Sequence, residues 1–593
     1  MIKAPYNFVP LENKAFYPSW ANHISQDIPF EDGVSGCIEY TIEAKTPIFV
    51  RNGYTDREKP DSTFSKTHDG KFFIPGTSIK GEIRNVLEIL SFGKMTQVQD
   101  ARFGIRVLGR RDYTSALQNE RCGWLYKDSC GNYKIDDCGK PGVFQTSDLS
   151  DSLNQFMLRT NFDATVFNRW NTENHIKNVS QEEIKRSSMW KYAIYGFSFN
   201  DLLTVDFSEN KKLNYTFTKT DIPHRNHYDR RELYIRSNKS TKRGTIVLTG
   251  QPNRTKKYDF IFFAPTERKT HSVPDNTLAD FKSIHRNNID FQKIWLPRLE
   301  SNRKVPVFFT MSGDDITAIG LSGMFRIPSK TSIKEAIFAE LQKGENDLAE
   351  CIFGSASQNK ELKGRVFFGH AFAEGAIQPM QQVDTTLSSP KPSYGPLYVK
   401  QGSWNTQNAV IKGRKRYPVR SETWENEQGT TSTECHFIPL PHNTTFIGRI
   451  SFHNLRECEL GALIAALTLN GHPECFHSIG EAKPLGYGKV KISLTSLKIK
   501  DIHDNTCSYN EADSLKATVE KYLKQFNSMM SAANINWSPE SPSIRQLIKM
   551  AEGIPANKNE DFKYMEFSMF ARELRQPGNP LRYFTDILDN NRR

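Results

Sequence analysis

Residues Ile479–Val490 read IGEAKPLGYGKV, which sets Gly480, Gly486 and Gly488 around Lys483 and Lys489. Glycine admits positive φ and close backbone approach, so the N–H groups and ammonium groups of this loop suit a run of phosphates. A dinucleotide loop is disfavoured, because that motif opens a helix whereas the following KVKISL alternates like a strand. The competing reading is a tight turn before an edge strand. A second cluster, IKGRKRY (Ile411–Tyr417), places Lys412, Arg414, Lys415 and Arg416 beside Tyr417. Adjacent cations need phosphate or water, and a neighbouring ring can stack on a base. Its plain alternative is a solvated basic loop.

Other chemistry is thinner. Ser312–Asp315 reads SGDD between VPVFFTM and ITAIGL, two carboxylates at a turn that could hold a divalent ion, but an ordinary Gly/Asp hairpin is the better reading. Cys122, Cys130 and Cys138 recur evenly without a close pair or a fourth ligand, so zinc is disfavoured. Metalloprotease His pairing, a Ser nucleophile elbow and a Walker loop are missing from the sequence, which leaves ordinary hydrolase and ATPase readings without residues.

These clusters need a scaffold, and 593 residues suffice for several domain-sized units. Hydrophobic residues at 37% can build sizeable cores, while the mean hydropathy of −0.58 implies a polar surface. Lys and Arg outnumber Asp and Glu by 79 to 67, a net charge of +12 that favours a polyanionic partner. Nine scattered cysteines, a start without a signal-type apolar run and no apolar stretch longer than Gly461–Leu469 point to a cytoplasmic protein that does not enter the membrane.

An internal repeat organises the rest. Ile74–Arg84 reads IPGTSIKGEIR and Ile327–Ile337 reads IPSKTSIKEAI, which predicts a duplicated domain with a helix start in each copy. After the first, Ile79, Ile83, Val86, Leu87 and Leu90 form an apolar stripe, with Lys80 and Arg84 on another face. In the second, Ser332 and Glu335 have capping-box spacing. Ile38, Tyr40 and Ile42 alternate as in a half-buried strand. GTIVLTG (Gly244–Gly250), DFIFF (Asp259–Phe263), RVFF (Arg365–Phe368), FIGRISF (Phe446–Phe452) and KVKISL (Lys489–Leu494) also read as strands, and ELGALIAALTL (Glu459–Leu469) as a buried helix. That order predicts an α+β chain of two tandem ferredoxin-like (RRM-like) units with insertions and a helical C-terminal tail, divided as 1–240, 241–505 and 506–593. Such a unit packs two helices on one face of its sheet and leaves the other face free for ligands. The polar stretch from Asn168 to Thr241 is expected to lack a core of its own.

Together PYNFVPL (Pro5–Leu11), IPGTSIKGEIR, IFGSASQNKELKGRVFFGHA (Ile352–Ala371), SSPKPSYGPLY (Ser388–Tyr398), IKGRKRY, ELGALIAALTL and HSIGEAKPLGYGKVKISL (His477–Leu494) resemble the RAMP superfamily of CRISPR-associated proteins, specifically backbone-type subunits of type III RNA-guided effector complexes. The resemblance implies a CRISPR RNA held by its sugar-phosphate backbone, with target RNA and other effector subunits as further partners and no organic cofactor. It implies RNA contacts from Gly486, Gly488, Lys483 and Lys489, from Lys80, Arg84 and Lys334 near helix starts, from Lys363 and Arg365 ahead of a strand, and from Lys412, Arg414, Lys415, Arg416 and Tyr417. Some family members cut target RNA with an aspartate in the loop after the first strand, aided by a divalent metal. Here that loop, Arg51–Phe73, offers Asp56 and Asp61 as catalytic candidates with magnesium or manganese, while Asp69 precedes Gly70 and shapes a turn. The segment FVRNG (Phe49–Gly53) departs from the usual His-Ile-Gly-like turn of the family. Metal-independent processing of precursor CRISPR RNA, and a structural cap without chemistry, are the alternatives.

Overall fold

A computed structural model describes residues 2–53, 62–106, 111–145, 168, 170–172, 176, 178–195, 204–206, 212–215, 231–234, 243–251, 258–265, 267, 269–357, 360–426, 433–501, 507–509, 512–575 and 579–589. Two compact units result, one from Met1–Gln99 with Ile333–Arg593 and one from Asp100–Ser332. The elements of the first that matter below are strands β1 (Asn7–Val9), β2 (Gly33–Ala44) and β3 (Phe73–Ile74), helix α1 (Gly76–Leu90), strands β4 (Val366–Phe368), β5 (Ala371–Ala373), β6 (Arg414–Arg416) and β7 (Thr445–Arg456), helix α2 (Glu457–Thr468), strands β8 (His477–Ser478), β9 (Lys489–Asp501) and β10 (Cys507–Tyr509), and helices α3 (Ala512–Ala532) and α4 (Pro542–Glu552).

Alternation in β2 sends Ile38, Tyr40 and Ile42 into the core and leaves Glu39, Thr41 and Glu43 for the opposite face. Strand β7 does the same, burying Phe446, Ile450 and Phe452 and exposing Ile447, Arg449 and Ser451. Both join an antiparallel sheet of order β8-β9-β2-β7-β5-β3, with β4 also on β7 and β10 also on β9. Ile38 lies opposite Ile450 on one side and Leu497 on the other. The series β2, α1, β5, β7, α2, β9 is strand-helix-strand-strand-helix-strand, with the last strand beside the first, the first beside the third and the third beside the second. One ferredoxin-like order is therefore built once, from both ends of the sequence, and the second unit is inserted after α1.

Helices α1 and α2 share a core with the inner face of this sheet. Helix α1 buries Ile79, Ile83, Val86, Leu87, Ile89 and Leu90. Helix α2 is buried all round from Glu459 to Leu467 because α3 covers its outer side, where a Cβ on Gly461 would stand 2.1 Å from the Tyr522 carbonyl. The tail thus belongs to the first unit: Tyr522, Phe526, Met530, Ile544 and Leu547 join the core, and Trp537 Nε1 donates to the Leu90 carbonyl at 2.7 Å.

In the second unit, strands Lys269–Ser272, Tyr133–Gly139, Arg121–Lys127, Val305–Ser312 and Asp315–Gly320 form one sheet, and Gly142–Gln145, Tyr258–Phe263, Arg243–Val247 and Thr204–Asp206 form another. Trp170, Ile184, Met189, Trp190, Tyr192 and Ala193 are core residues here. A fully buried Lys191–Asp259 ion pair at 2.8 Å is further held by Lys191 donating to the Thr249 carbonyl. Among the described residues, no helix is long and apolar enough to cross a membrane.

Several expectations are corrected. The divisions at 240/241 and 505/506 do not coincide with the units, because β2 pairs with β7 and β9 in a single sheet. The second repeat copy forms no helix at Ser332; residues 333–336 make a turn, and Ser332 Oγ donates to Asp100 at 2.7 Å. The Asn168–Thr241 stretch does contribute to a core. The favoured reading of SGDD, by contrast, holds: it closes a two-stranded hairpin in which Ser312 faces Asp315, with both aspartates exposed. Cys122 and Cys138 are buried while Cys130 sits exposed in a turn, so the three do not converge.

Gly461→Val should overfill the α2–α3 contact and destabilise the protein by about 1–3 kcal/mol. A thermal midpoint equal to the parent's would show that α3 does not press on α2.

Candidate nucleic-acid interface

Strand β1, within PYNFVPL, pairs antiparallel with β6, within IKGRKRY: Asn7 faces Arg416, Phe8 faces Lys415 and Val9 faces Arg414. Gly413 makes this approach sterically allowed, since at φ +141° a Cβ there would lie 1.8 Å from the Val9 carbonyl. The glycine-rich loop meets FVRNG in a similar way. Gly480 (φ +97°) packs on the Phe49 carbonyl, Glu481 N–H donates to that carbonyl at 2.9 Å, and Arg51 Nη2 pairs with Glu481 Oε2 at 2.8 Å.

These contacts bring four distant segments around one cleft of about 600 Å³ within the first unit. The start of α1 supplies Pro75, Thr77, Ser78, Gly81, Glu82 and Asn85. Strand β6 and its neighbour supply Lys415, Arg416 and Tyr417, the glycine-rich loop supplies Gly480, Glu481 and Lys483, and FVRNG supplies Val50 and Arg51. Four cationic side chains thus face two carboxylates.

The charges are tied together. Arg416 Nη2 pairs with Glu82 Oε1 at 2.6 Å, and His477 Nδ1 lies 3.2 Å from the same oxygen. Burial alone would raise the Glu82 carboxyl, but Arg416, His477 and Lys483 hold it well below the usual carboxylate range. Burial lowers Lys415 to about 8, with its ammonium 3.9 Å from the Tyr6 ring centre. Burial also lowers Lys483, Glu82 opposing this and Arg416 adding to it. The Tyr417 hydroxyl is pushed up to about 12 by burial and by Tyr398. An anion in the cleft would favour the charged form that burial penalises on both lysines.

Of the residues expected to contact RNA, Lys415, Arg416, Tyr417 and Lys483 line this cleft. The others are placed elsewhere. Arg365 is fully buried, paired with Glu459 and donating to the Cys351 and Asn454 carbonyls, so it is a strut of the core rather than a surface contact. Lys412 is buried, donates to the Leu581 carbonyl at 2.7 Å and lies over the Tyr583 ring. Arg414 pairs with Glu88 at 2.7 Å and donates to the Lys94 carbonyl at 2.7 Å. Arg84 takes the other Glu88 oxygen at 3.0 Å, and Lys80 donates to the Phe353 carbonyl at 3.4 Å. Lys334 and Lys363 are exposed. Gly486 and Gly488 turn towards protein: Gly486 accepts from Thr46 Oγ1 at 2.8 Å and Gly488 donates to the Pro47 carbonyl at 2.9 Å. Lys489 lies 4.1 Å from the Phe476 ring centre.

Asp56 and Asp61 fall outside the described residues. The strands leading into and out of their loop are fixed, with Arg51 bridged to Phe64 and Asn52 N–H donating to the Thr63 carbonyl at 3.1 Å. Because Arg51 lines the cleft, the loop departs beside it. Asp69 accepts from the Thr67 hydroxyl ahead of Gly70 at φ +88°, which closes a turn. Among the described residues, no three His, Cys, Asp or Glu side chains are grouped to hold a metal ion. Arg51, Ser78, Glu82 and Glu481 were not among the expected contacts, although each lies inside a stretch that the sequence marks out.

Arg365→Leu should cost about 3–5 kcal/mol, because Glu459 stays buried without its partner. A denaturant midpoint unchanged from the parent would refute that role.

A family model described as the RAMP superfamily matches residues 41–231. No curated protein matches the chain. Among solved structures, Thermofilum pendens Csc2 is 16% identical over 39% of this chain and 60% of that one, with a TM-score of 0.14. The Type III-B Cmr-beta apo state gives 10% identity over 78% and 97%, with a TM-score of 0.19. A CRISPR RNA-guided surveillance complex gives 8% identity over 83% and 89%, also at 0.19. The chain spans three fifths of the Csc2 chain, and at these TM-scores the structural likenesses bear on neither fold nor activity. What remains is the family match: over residues 41–231, about a third of its length, the chain is similar to the RAMP superfamily.

Proposed function

We propose that this protein is a CRISPR RNA-binding subunit of a type III RNA-guided effector complex, working beside other effector subunits and meeting target RNA through the guide. The observation that carries the reading is the convergence of FVRNG, IPGTSIKGEIR, IKGRKRY and the glycine-rich loop on one cationic cleft, with PYNFVPL holding IKGRKRY in place by strand pairing. Its lining offers charge and hydroxyl groups but few surfaces shaped for a particular base, which suits a sugar-phosphate backbone. Sequence choice then falls to base pairing between guide and target.

Target cleavage is a further part of the proposal. Asp56 and Asp61, on the loop that departs beside the cleft, would hold a magnesium or manganese ion. Such an ion supplies charge neutralisation at a scissile phosphate. The chain's own part is to keep RNA phosphates on Lys415, Lys483 and the start of α1 while the loop reaches the strand.

Lys415→Glu with Lys483→Glu should weaken binding of single-stranded RNA. For two phosphate contacts, the slope of log affinity against log salt should become shallower by roughly 1.4. A slope equal to the parent's removes the cleft from the binding site. Phosphate favours the charged form of Lys415, so binding takes up a proton and affinity should fall as pH rises through about 8. Fluorescence anisotropy across that range reads the effect; affinity that is flat or rising with pH contradicts it. Asp56→Ala with Asp61→Ala should leave RNA binding intact and abolish cutting of a guide-complementary strand. Cutting that survives the double substitution or a chelator sinks the loop assignment.

A further inference from the structure

Helices α1 and α2 cover one face of the first unit's sheet, and the other face is where β2 and β7 place their alternate residues. Across that open face, register aligns a single row: Phe73 on β3 opposite Phe372 on β5, Phe372 opposite Ile447 on β7, Ile447 opposite Thr41 on β2, and Thr41 opposite Ser493 on β9. Ile447 is 48% exposed, and Phe367, on β4 of the same face, is 51% exposed. With Phe73 and Phe372 they make a run of apolar side chains on a face whose neighbouring positions on β2 and β7, Glu39, Thr41, Glu43, Arg449 and Ser451, are charged or hydroxylated.

The aromatic end of the row is organised. The His370 ring stands 4.7 Å from Phe73 with 34° between the planes, and Phe73 stands 5.9 Å from Phe372. Gly76 N–H, at the first turn of α1, donates to His370 Nδ1 at 3.1 Å. The acceptor role fixes the tautomer, so the ring proton sits on Nε2 as a donor in a fixed direction. Lys71 lies 5.3 Å from the Phe372 ring centre, and exposed Arg449 lies on the same face as Ile447. The row is one side chain deep; its aromatic end is edged by cations, and its far end, at Thr41, by hydroxyls and by the carboxylates of Glu39 and Glu43. A helix needs a wider apolar groove, whereas a flat heteroaromatic ring with hydrogen-bonding edges and an attached phosphate matches what is there. Position agrees: Phe73 precedes Pro75, which lines the cleft, and Gly76 joins the His370 turn to the same helix start.

We propose that Phe73, His370 and Phe372 form a stacking platform for unpaired bases of a single-stranded polynucleotide. It rests on the reading of the adjoining cleft as the path of the phosphates, and it adds a base-dependent contact outside the cleft.

The test compares fluorescein-labelled oligoadenylate with an abasic ribose-phosphate oligomer of equal length, on the full chain, by anisotropy. The parent should bind oligoadenylate at least about fivefold more tightly than the abasic oligomer. His370→Ala with Phe372→Ala should bring that ratio close to one and leave abasic binding unchanged. Phe372→Leu keeps apolar bulk in β5, and it should lower the ratio even if the alanine variant does not fold. Lys415→Glu reports on the cleft separately, weakening both oligomers by the same factor. If it has no effect while the ratio still depends on Phe372, the cleft reading fails and the platform stands. A parent ratio of one, or a ratio unaltered in Phe372→Leu, overturns the platform. So does a change of oligomeric state in Phe372→Leu at unaltered ratio, which would give this face to another protein chain.

Discussion

The pairing of β2 with β7 and β9 is the constraint on which the first unit depends. Ile38 sits between Ile450 and Leu497, so strands separated by most of the chain form the centre of one sheet. The entropy of closing so large a loop grows only slowly with its length, and a complete inserted unit is therefore tolerated after α1. Burial of Ile38, Tyr40 and Ile42 against Ile450, Val490 and Leu497 offsets that cost. Everything in the cleft hangs from this frame, since α1 packs on the sheet and the glycine-rich loop connects β8 to β9.

Local pattern was legible and partnership was not. Alternation revealed β2, β7 and β9, and the run of apolar residues revealed α2, because periodicity records which face is buried. The repeat misled because its shared letters cover only a helix start. In the first copy a long stripe from Ile79 to Leu90 follows and pays the nucleation cost of α1. In the second, Ile337 is followed by one short 3-10 turn at Ala339–Gln342 and then Lys343, Gly344, Glu345 and Asn346, with no stripe to bury. The polar stretch after Asn168 concealed Trp170, Trp190 and Tyr192, and the partner that buries its Lys191, Asp259, lies on a strand far along the chain.

The same limit applies to the cations. Sequence showed a basic cluster at Lys412–Arg416 but not which member meets solvent. Lys412 is taken up by the Leu581 carbonyl and Arg414 by Glu88, leaving Lys415 and Arg416 for the cleft. Arg365 had the look of a surface residue ahead of a strand, and its partner Glu459 lies on α2, far along the chain. The glycines of the Ile479–Val490 loop were read as sites of close approach, but the group approaching Gly480 is the Phe49 carbonyl, so protein backbone takes the place expected of a ligand, as the Val9 carbonyl does at Gly413.

The β1–β6 ladder also sets a schedule for synthesis. Residues 7–9 leave the ribosome about four hundred residues ahead of the strand they hold, which ends at Arg416, and the cleft gains its last lining residue at Lys483. A nascent chain therefore displays no finished groove until Lys483 has been added.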